Sequence, residues 1–197
     1  MIVLDVETTG LDPEKNSLVS IAALDFDDSE ERFYQECRIW EEAEIDPKAL
    51  LINGLTDIEL VDIEKKTESD IVKNFLYWIK DKRDITIAGQ NPSFDVNFIK
   101  AAAERAGEVS TLPFRTIDIH SLAWAHMKSR GEEPPIENNK SSLGSDRIMK
   151  YVGLPPEPKP HVGINSVLWE YEAIFRLING VPKLEEFKEF PVPFREV

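Results

Sequence analysis

The sequence predicts one α/β domain: a mixed sheet that starts as an antiparallel meander, continues by strand–helix alternation, and is flanked by helices. Two observations carry this expectation. The first 40 residues hold three strand-like runs joined by short polar links. Beyond residue 47 the apolar period lengthens, and short strand-like runs alternate with helical stripes, the pattern of strand–helix units packed on a sheet. A chain of 197 residues with 42% hydrophobic content is long enough for one sizeable core. Residues 1–180 are expected to form that domain, with residues 181–197 as a tail packing on it.

Residues 2–10 (IVLDVETTG) open the chain as a strand. Two carboxylates, Asp5 and Glu7, interrupt it with one residue between them. Strand side chains alternate between faces, so Asp5 and Glu7 project together while Val6 enters the opposite layer. On so apolar a strand the pair would repel and be poorly solvated. A divalent cation that favours hard oxygen ligands, Mg²⁺ or Mn²⁺, would neutralise both. An edge strand with a solvated acidic face is the competing reading at this point.

Gly10-Leu11-Asp12-Pro13 is a turn signal. Residues 17–26 and 32–40 read as the second and third strands, linked through Asp27-Asp28-Ser29-Glu30. The acidic segment 41–46 is expected to be solvated. Pro47 opens a short helix that Asn53-Gly54 ends. Thr56 with Glu59 is a capping-box pattern for another. Residues 68–80 carry Ile71, Val72, Phe75, Leu76 and Ile79 as a helical stripe. Residues 84–90 read as a strand followed by a helix over 94–106. A strand over 114–117 precedes a helix through 128. Residues 129–140 read as an exposed loop, 141–151 as a helix, and the proline-rich 154–160 as an extended connection. The last helix, 162–179, presents Ile164, Val167, Leu168, Tyr171, Ile174, Phe175 and Ile178 on one face, and Gly180 ends it. Phe187, Phe190 and Phe194 are expected to pack the tail against the body.

The net charge of −14 is uneven. Residues 1–70 hold 20 acids and 6 bases, whereas residues 71–197 hold 17 of each. Such a chain is ill-suited to coating long duplexes, because nucleic acid affinity depends on Lys and Arg at phosphates. It remains suited to gripping one strand end in a metal-lined cleft, with the neutral two-thirds supplying phosphate contacts. No apolar run approaches membrane-spanning length, so no membrane partner is expected. Cys37 is the single cysteine, which fits a reducing compartment, and the cytoplasm is the expected location.

Two further residues are candidates for chemistry. Asp95 falls in Asn91-Pro92-Ser93-Phe94-Asp95, at the first turn of a helix that follows an apolar strand, where catalytic groups often sit in α/β sheets. A first-turn acid complementing the helix dipole is the plain alternative. His161 stands between the proline-rich connection and the last helix, where a histidine can act as a general base near neutral pH. His120 and His126 lie within a helical pattern and are expected to be packed or surface residues.

Taken in order, these motifs resemble the DEDD exonuclease superfamily in its histidine-containing branch, which includes polymerase proofreading domains, RNase T and oligoribonuclease. Asp5-Val6-Glu7-Thr8-Thr9-Gly10-Leu11 is similar to the first motif, and Asn53-Gly54-Leu55-Thr56-Asp57 to the intermediate segment. Asn91-Pro92-Ser93-Phe94-Asp95 is similar to the second motif, Thr116-Ile117-Asp118 to the strand end after it, and His161 opens the third. The resemblance spans residues 1 to about 175. It implies an RNase H-like fold and two-metal, 3′-to-5′ hydrolysis of phosphodiester bonds at a single-stranded DNA or RNA 3′ end, releasing nucleotide monophosphates.

By that resemblance Asp5, Glu7 and Asp95 bind two Mg²⁺ or Mn²⁺ ions, and His161 accepts the proton of the attacking water. Thr8, Thr9 and Gly10 hold the terminal nucleotide through their backbone, with Leu11 and Phe94 flanking its base. Ordinary packing explains Leu11 and Phe94 equally well. One position departs from the pattern. Five residues after the histidine the family has an aspartate, and this chain has Ser166. A serine hydroxyl can ligate Mg²⁺ without adding negative charge, so Ser166 is the fourth candidate ligand. Glu170 lies one turn on, about 6 Å along the axis, and is not expected to stand in directly. The alternative function is a weakened or inactive member that binds a nucleic acid end, or another protein, without turnover.

Overall fold

The computed structural model describes residues 1–159 and 162–194. A six-stranded sheet runs in the order β4-β3-β2-β1-β5-β6. The first three strands, β1 (Ile2–Thr8), β2 (Leu18–Asp25) and β3 (Arg32–Arg38), form the expected antiparallel meander. The parallel side comprises β5 (Ile87–Gly89) and β6 (Thr116–Asp118) beside β1, and β4 (Lys66–Thr67) extends the far edge. The mixed sheet and its flanking helices are those of the RNase H-like fold.

Period-two alternation along β1 sorts its side chains into two layers. Ile2, Leu4 and Val6 pack with helices α3 (Glu68–Ile79) and α4 (Pro92–Arg105) through residues such as Phe75 and Phe98. Val3, on the other face, joins the layer of α5 (Ile119–Ser129), α6 (Ser145–Tyr151) and α7 (Gly163–Asn179). Asp5 and Glu7 continue the Val3 face. The two acids therefore point toward α7, opposite the Val6 layer.

Local rules account for most of the helix ends. Helix α1 (Pro47–Asn53) starts at Pro47 and is closed by Gly54 at φ 69°. Helix α2 (Asp57–Leu60) carries the Thr56–Glu59 capping box, and Thr67 with Asp70 forms a second box at α3 that the sequence reading did not identify. Gly180, at φ 68°, ends α7.

Several boundaries differ from the expectation. The strand expected over 84–90 is only Ile87–Gly89, since the Asp84 side chain instead accepts the Thr86 N–H in a local turn. Phe114, expected in a strand, is exposed, and pairing begins at Thr116. The loop expected over 129–140 contains a two-strand hairpin, β7 (Ile136–Glu137) and β8 (Lys140–Ser141). Asn138 and Asn139 turn it, both with positive φ, which asparagine tolerates better than most residues. Helix α6 starts four residues later than expected. Ile178 of the α7 stripe is solvent-exposed.

The segment after α7 is tied down by a buried ion pair. Arg176 is fully buried and donates to Glu172 (2.8 Å), to the Val152 carbonyl (3.0 Å) and to the Phe187 carbonyl (2.9 Å). Glu172 in turn accepts the Leu184 N–H at 2.8 Å. Phe187 and Phe194 enter the core of the α7 layer. Among the described residues no helix is long and apolar enough to cross a membrane.

Candidate metal centre and nuclease site

The site forms where β5 ends. Parallel pairing of β1 with β5 covers only Ile2 and Val3, so β1 projects beyond its neighbour just where its carboxylates begin. Crevices at the carboxyl ends of parallel strands are the usual binding sites of open α/β sheets. On the other side Asp5 pairs with Ala22 and Glu7 with Ser20, small residues that leave the carboxylates room. The register shifts between Glu7 and Thr8, an irregularity of the kind that re-aims side chains beside functional sites.

Helix α4 brings Asp95 to the same place. Asn91 adopts φ 53° and ψ 50°, Pro92 starts the helix, and Asp95 sits in its first turn, buried. The Val6 N–H donates to Asp95 Oδ1 at 2.9 Å, which spans 89 residues of sequence. This contact lies between the two first-motif acids.

Helix α7 closes the site from above. Gly163 opens its first turn, and a Cβ there would lie 3.3 Å from Asp5 Oδ2 and 3.2 Å from the Ala22 methyl. One turn of helix later, Ser166 is buried, and its Oγ donates to Glu157 Oε1 at 2.7 Å. The hydroxyl that the sequence nominates as a metal ligand is thus engaged with an acid from the proline-rich connection. Glu170 is 5% exposed, and its Oε2 lies against Gly89. A Cβ at Gly89 would be 2.9 Å from that oxygen and 2.9 Å from the Leu4 carbonyl, so only glycine leaves space for the carboxylate.

Electrostatics bind these acids into one cluster. Burial and the charge of Glu157 push the Asp5 carboxyl up to about 7. Burial, then Asp5 and Glu157, push Glu7 up to about 8. Asp95 and Glu170 are held well above the usual carboxylate range, by burial first and the Asp5 charge second. Two sealed oxygens, Asp5 Oδ2 and Glu170 Oε2, have no hydrogen-bond partner. Orphaned carboxylate oxygens facing other acids are the surroundings that a divalent cation relieves, and hard oxygen donors suit one. Among the described residues no three His, Cys, Asp or Glu side chains close into a finished cage.

The other residues nominated from sequence are placed as follows. Thr9 is committed internally: its N–H donates to the Ser17 carbonyl at 2.9 Å, its Oγ1 to the Glu44 carbonyl at 2.7 Å. Thr8 Oγ1 donates to the Gly10 carbonyl at 2.7 Å. Asn53, in the intermediate segment, donates to the Thr8 carbonyl at 3.0 Å and so fastens α1 beneath the first motif. Leu11 is exposed, and Phe94 is half-buried against Phe98 with ring centroids 4.8 Å apart. His161 lies outside the described residues. His120 and His126 are away from the cluster, bonded to Ser141 Oγ and Tyr151 Oη at 2.7 Å each.

Glu157 and Glu170 are the members of the cluster that sequence reasoning did not assign. Glu170 carried a signal, an acid on the inner face of the strongly periodic last helix. Glu157 carried none within its run of prolines. Beside Glu7 a small cleft runs past Ser20, Tyr34 and Asn53 to Lys65, a cation otherwise paired with Glu36 at 2.9 Å.

Several known proteins are similar to this chain in sequence or fold. Ribonuclease T of Haemophilus influenzae is 31% identical over 137 residues, 62% of this chain and 59% of that protein. The PolC-type DNA polymerase III of Thermotoga maritima is 25% identical over 194 residues, 95% of this chain but 13% of the polymerase. In the zinc-ion-bound complex of E. coli Exonuclease I with single-stranded DNA, the fold superimposes with a TM-score of 0.72 at 18% identity. That match covers 91% of this chain and 40% of Exonuclease I. The chain thus spans less than two thirds of each of these relatives. The family model of RNase T-type exonucleases matches residues 2–165, from the first strand into the first turn of α7, and the chain belongs to that exonuclease family.

Proposed function

We propose that this chain is a divalent-metal-dependent 3′-to-5′ exonuclease that removes nucleotide monophosphates from single-stranded nucleic acid. One observation carries the proposal: Asp5, Glu7 and Asp95, joined by a contact that spans 89 residues of sequence, share one acidic site in which Asp5 Oδ2 has no hydrogen-bond partner, in a chain of the exonuclease family. Mg²⁺ or Mn²⁺, as a pair of ions held by these carboxylates, would supply the charge that polarises the scissile phosphate and acidifies water.

The chain's own residues divide the remaining work. Asp5 lies against the first turn of α7 at Gly163. Glu7, nearer the cleft past Ser20 and Tyr34, faces the incoming strand end. Asp95 fixes the metal-facing edge of β1 through the Val6 N–H. His161, at the position of the family's histidine, takes the proton from the attacking water. The backbone around Thr8 to Gly10 lies beside the terminal nucleotide, with Leu11, exposed at the rim, and Phe94 against its base. Lys65 is the cation nearest the cleft and is suited to a phosphate. Cys37, the single cysteine, is buried and burial pushes its thiol up, so it is not poised as a nucleophile; a reducing cytoplasm is the location we propose.

The test is release of labelled mononucleotides from single-stranded DNA and RNA, with Mg²⁺, with Mn²⁺ and with EDTA. Metal-dependent release from the 3′ end is expected. Absence of cleavage on both polymers with both metals would overturn the enzymatic reading and leave end-binding without turnover. The Ser166 hydroxyl at the family's aspartate position favours that second reading, and a large gain in cleavage in Ser166→Asp would show a weakened enzyme.

A further inference from the structure

We infer that Glu170 supplies the fourth carboxylate of the divalent-cation site formed with Asp5, Glu7 and Asp95, in place of the family aspartate that is Ser166 here. The inference rests on the metal-dependent reading above and adds a ligand to it.

Three observations carry it. Glu170 is 5% exposed, yet its Oε2 has no hydrogen-bond partner. The other sealed orphan among the four acids is Asp5 Oδ2, and the charges that bear most on Glu170 are those of Asp5 and Asp95. Removing a carboxylate oxygen from water with nothing to satisfy it is unfavourable unless a ligand completes the site. Beside them, Ser166 Oγ is turned to Glu157, so the nominal ligand position is occupied by a different contact.

The reach is explained by helix geometry. Cα–Cβ bonds on a helix tilt toward its N-terminus, so a side chain covers the turn before its own Cα. Glutamate also has one methylene more than aspartate. Both positions share that tilt, so the extra methylene recovers part of the one-turn offset, and the carboxylate at 170 ends beside Gly89 at the end of β5, within the field of Asp5 and Asp95. Gly89 makes the path available, because any Cβ there would stand 2.9 Å from the Glu170 oxygen. Three features of the sequence thus belong together: serine at 166, glutamate at 170 and glycine at 89.

The experiment is calorimetric titration of Mn²⁺ into the full chain, alongside the nuclease assay. Glu170→Gln is expected to weaken Mn²⁺ binding by about tenfold or more, the scale on which metal sites respond to lost support. Ser166→Asp in the Glu170→Gln background is expected to recover most of that affinity, which a purely structural role for Glu170 would not allow. Should Glu170→Gln fail to fold, Glu170→Asp, which keeps the charge and withdraws it by one methylene, is expected to lose affinity likewise. Wild-type binding unchanged in Glu170→Gln or Glu170→Asp overturns the inference and leaves the nuclease reading intact. Absence of Mn²⁺ binding by the wild type overturns the metal-dependent reading itself, and the inference with it.

Discussion

Asp95 Oδ1 accepts the Val6 backbone N–H at 2.9 Å, so the acid of the second motif is fastened between the two acids of the first. A single bond fixes the spacing of three carboxylates contributed by a strand and a helix. Replacing Asp95 by Asn retains an oxygen for the Val6 N–H and removes only the charge. Nuclease activity is expected to fall by at least about 100-fold. The metal-free melting temperature should hold or rise, as one repelling charge disappears. Paired kinetic and thermal measurements check both halves.

The pH dependence of the metal-free chain follows from the raised acids. Asp5 and Glu7 titrate near 7 and 8 in the folded chain against 3.8 and 4.5 when unperturbed. Between those values the folded state holds protons that the unfolded state has lost, so stability in EDTA falls as pH rises from about 5 to 8, by up to about 1.4 kcal/mol per pH unit for each such proton. The lowered acids Glu36, Glu59, Asp70 and Asp84 act in the opposite sense, but below that window. Added Mn²⁺ competes with the protons, so its stabilisation should grow with pH. Melting curves at pH 5, 6.5 and 8, with Mn²⁺ and with EDTA, measure this.

Gly89→Ala places a methyl 2.9 Å from both Glu170 Oε2 and the Leu4 carbonyl, at a φ of 155°. Backbone on one side and a packed carboxylate on the other leave little room to yield. A loss of about 1–3 kcal/mol in stability is expected, together with weaker Mn²⁺ binding. Denaturant titration and calorimetry separate the two effects.

Arg176 joins α7 to the segment that follows it. Arg176→Ala leaves Glu172 charged and buried without its partner and frees the Val152 and Phe187 carbonyls. A loss of about 3–5 kcal/mol is expected. Replacing Glu172 and Arg176 together by Met should cost less than Arg176→Ala alone. Urea unfolding of the two variants tests the order.

Local chemistry made much of the fold legible. Gly54 and Gly180, the Thr56–Glu59 box, and the stripe from Ile71 to Ile79 act within one or two turns, so their signals survive in the sequence alone. The two-residue turn at Asn138 and Asn139 was missed because its strands are two residues each and too short to show alternation. The strand over 87–89 is shorter than its sequence suggests, since residues 85–88 (ITIA) do not reveal where pairing with β1 begins.

For the site, the sequence by itself determined which face of the first strand carries Asp5 and Glu7, because strand alternation is a property of the backbone. Motif order then brought in Asp95. What only the tertiary structure decided was the company these acids keep: Asp95 on the Val6 N–H, Glu157 against Ser166, and Glu170 beneath Gly89. The last of these depends on the crossing of α7 over the end of β5, which joins residues about 80 apart in the chain. Spacing along a helix placed Glu170 one turn too far to matter. The extra methylene of its side chain and the missing Cβ at Gly89 brought its carboxylate to the cluster.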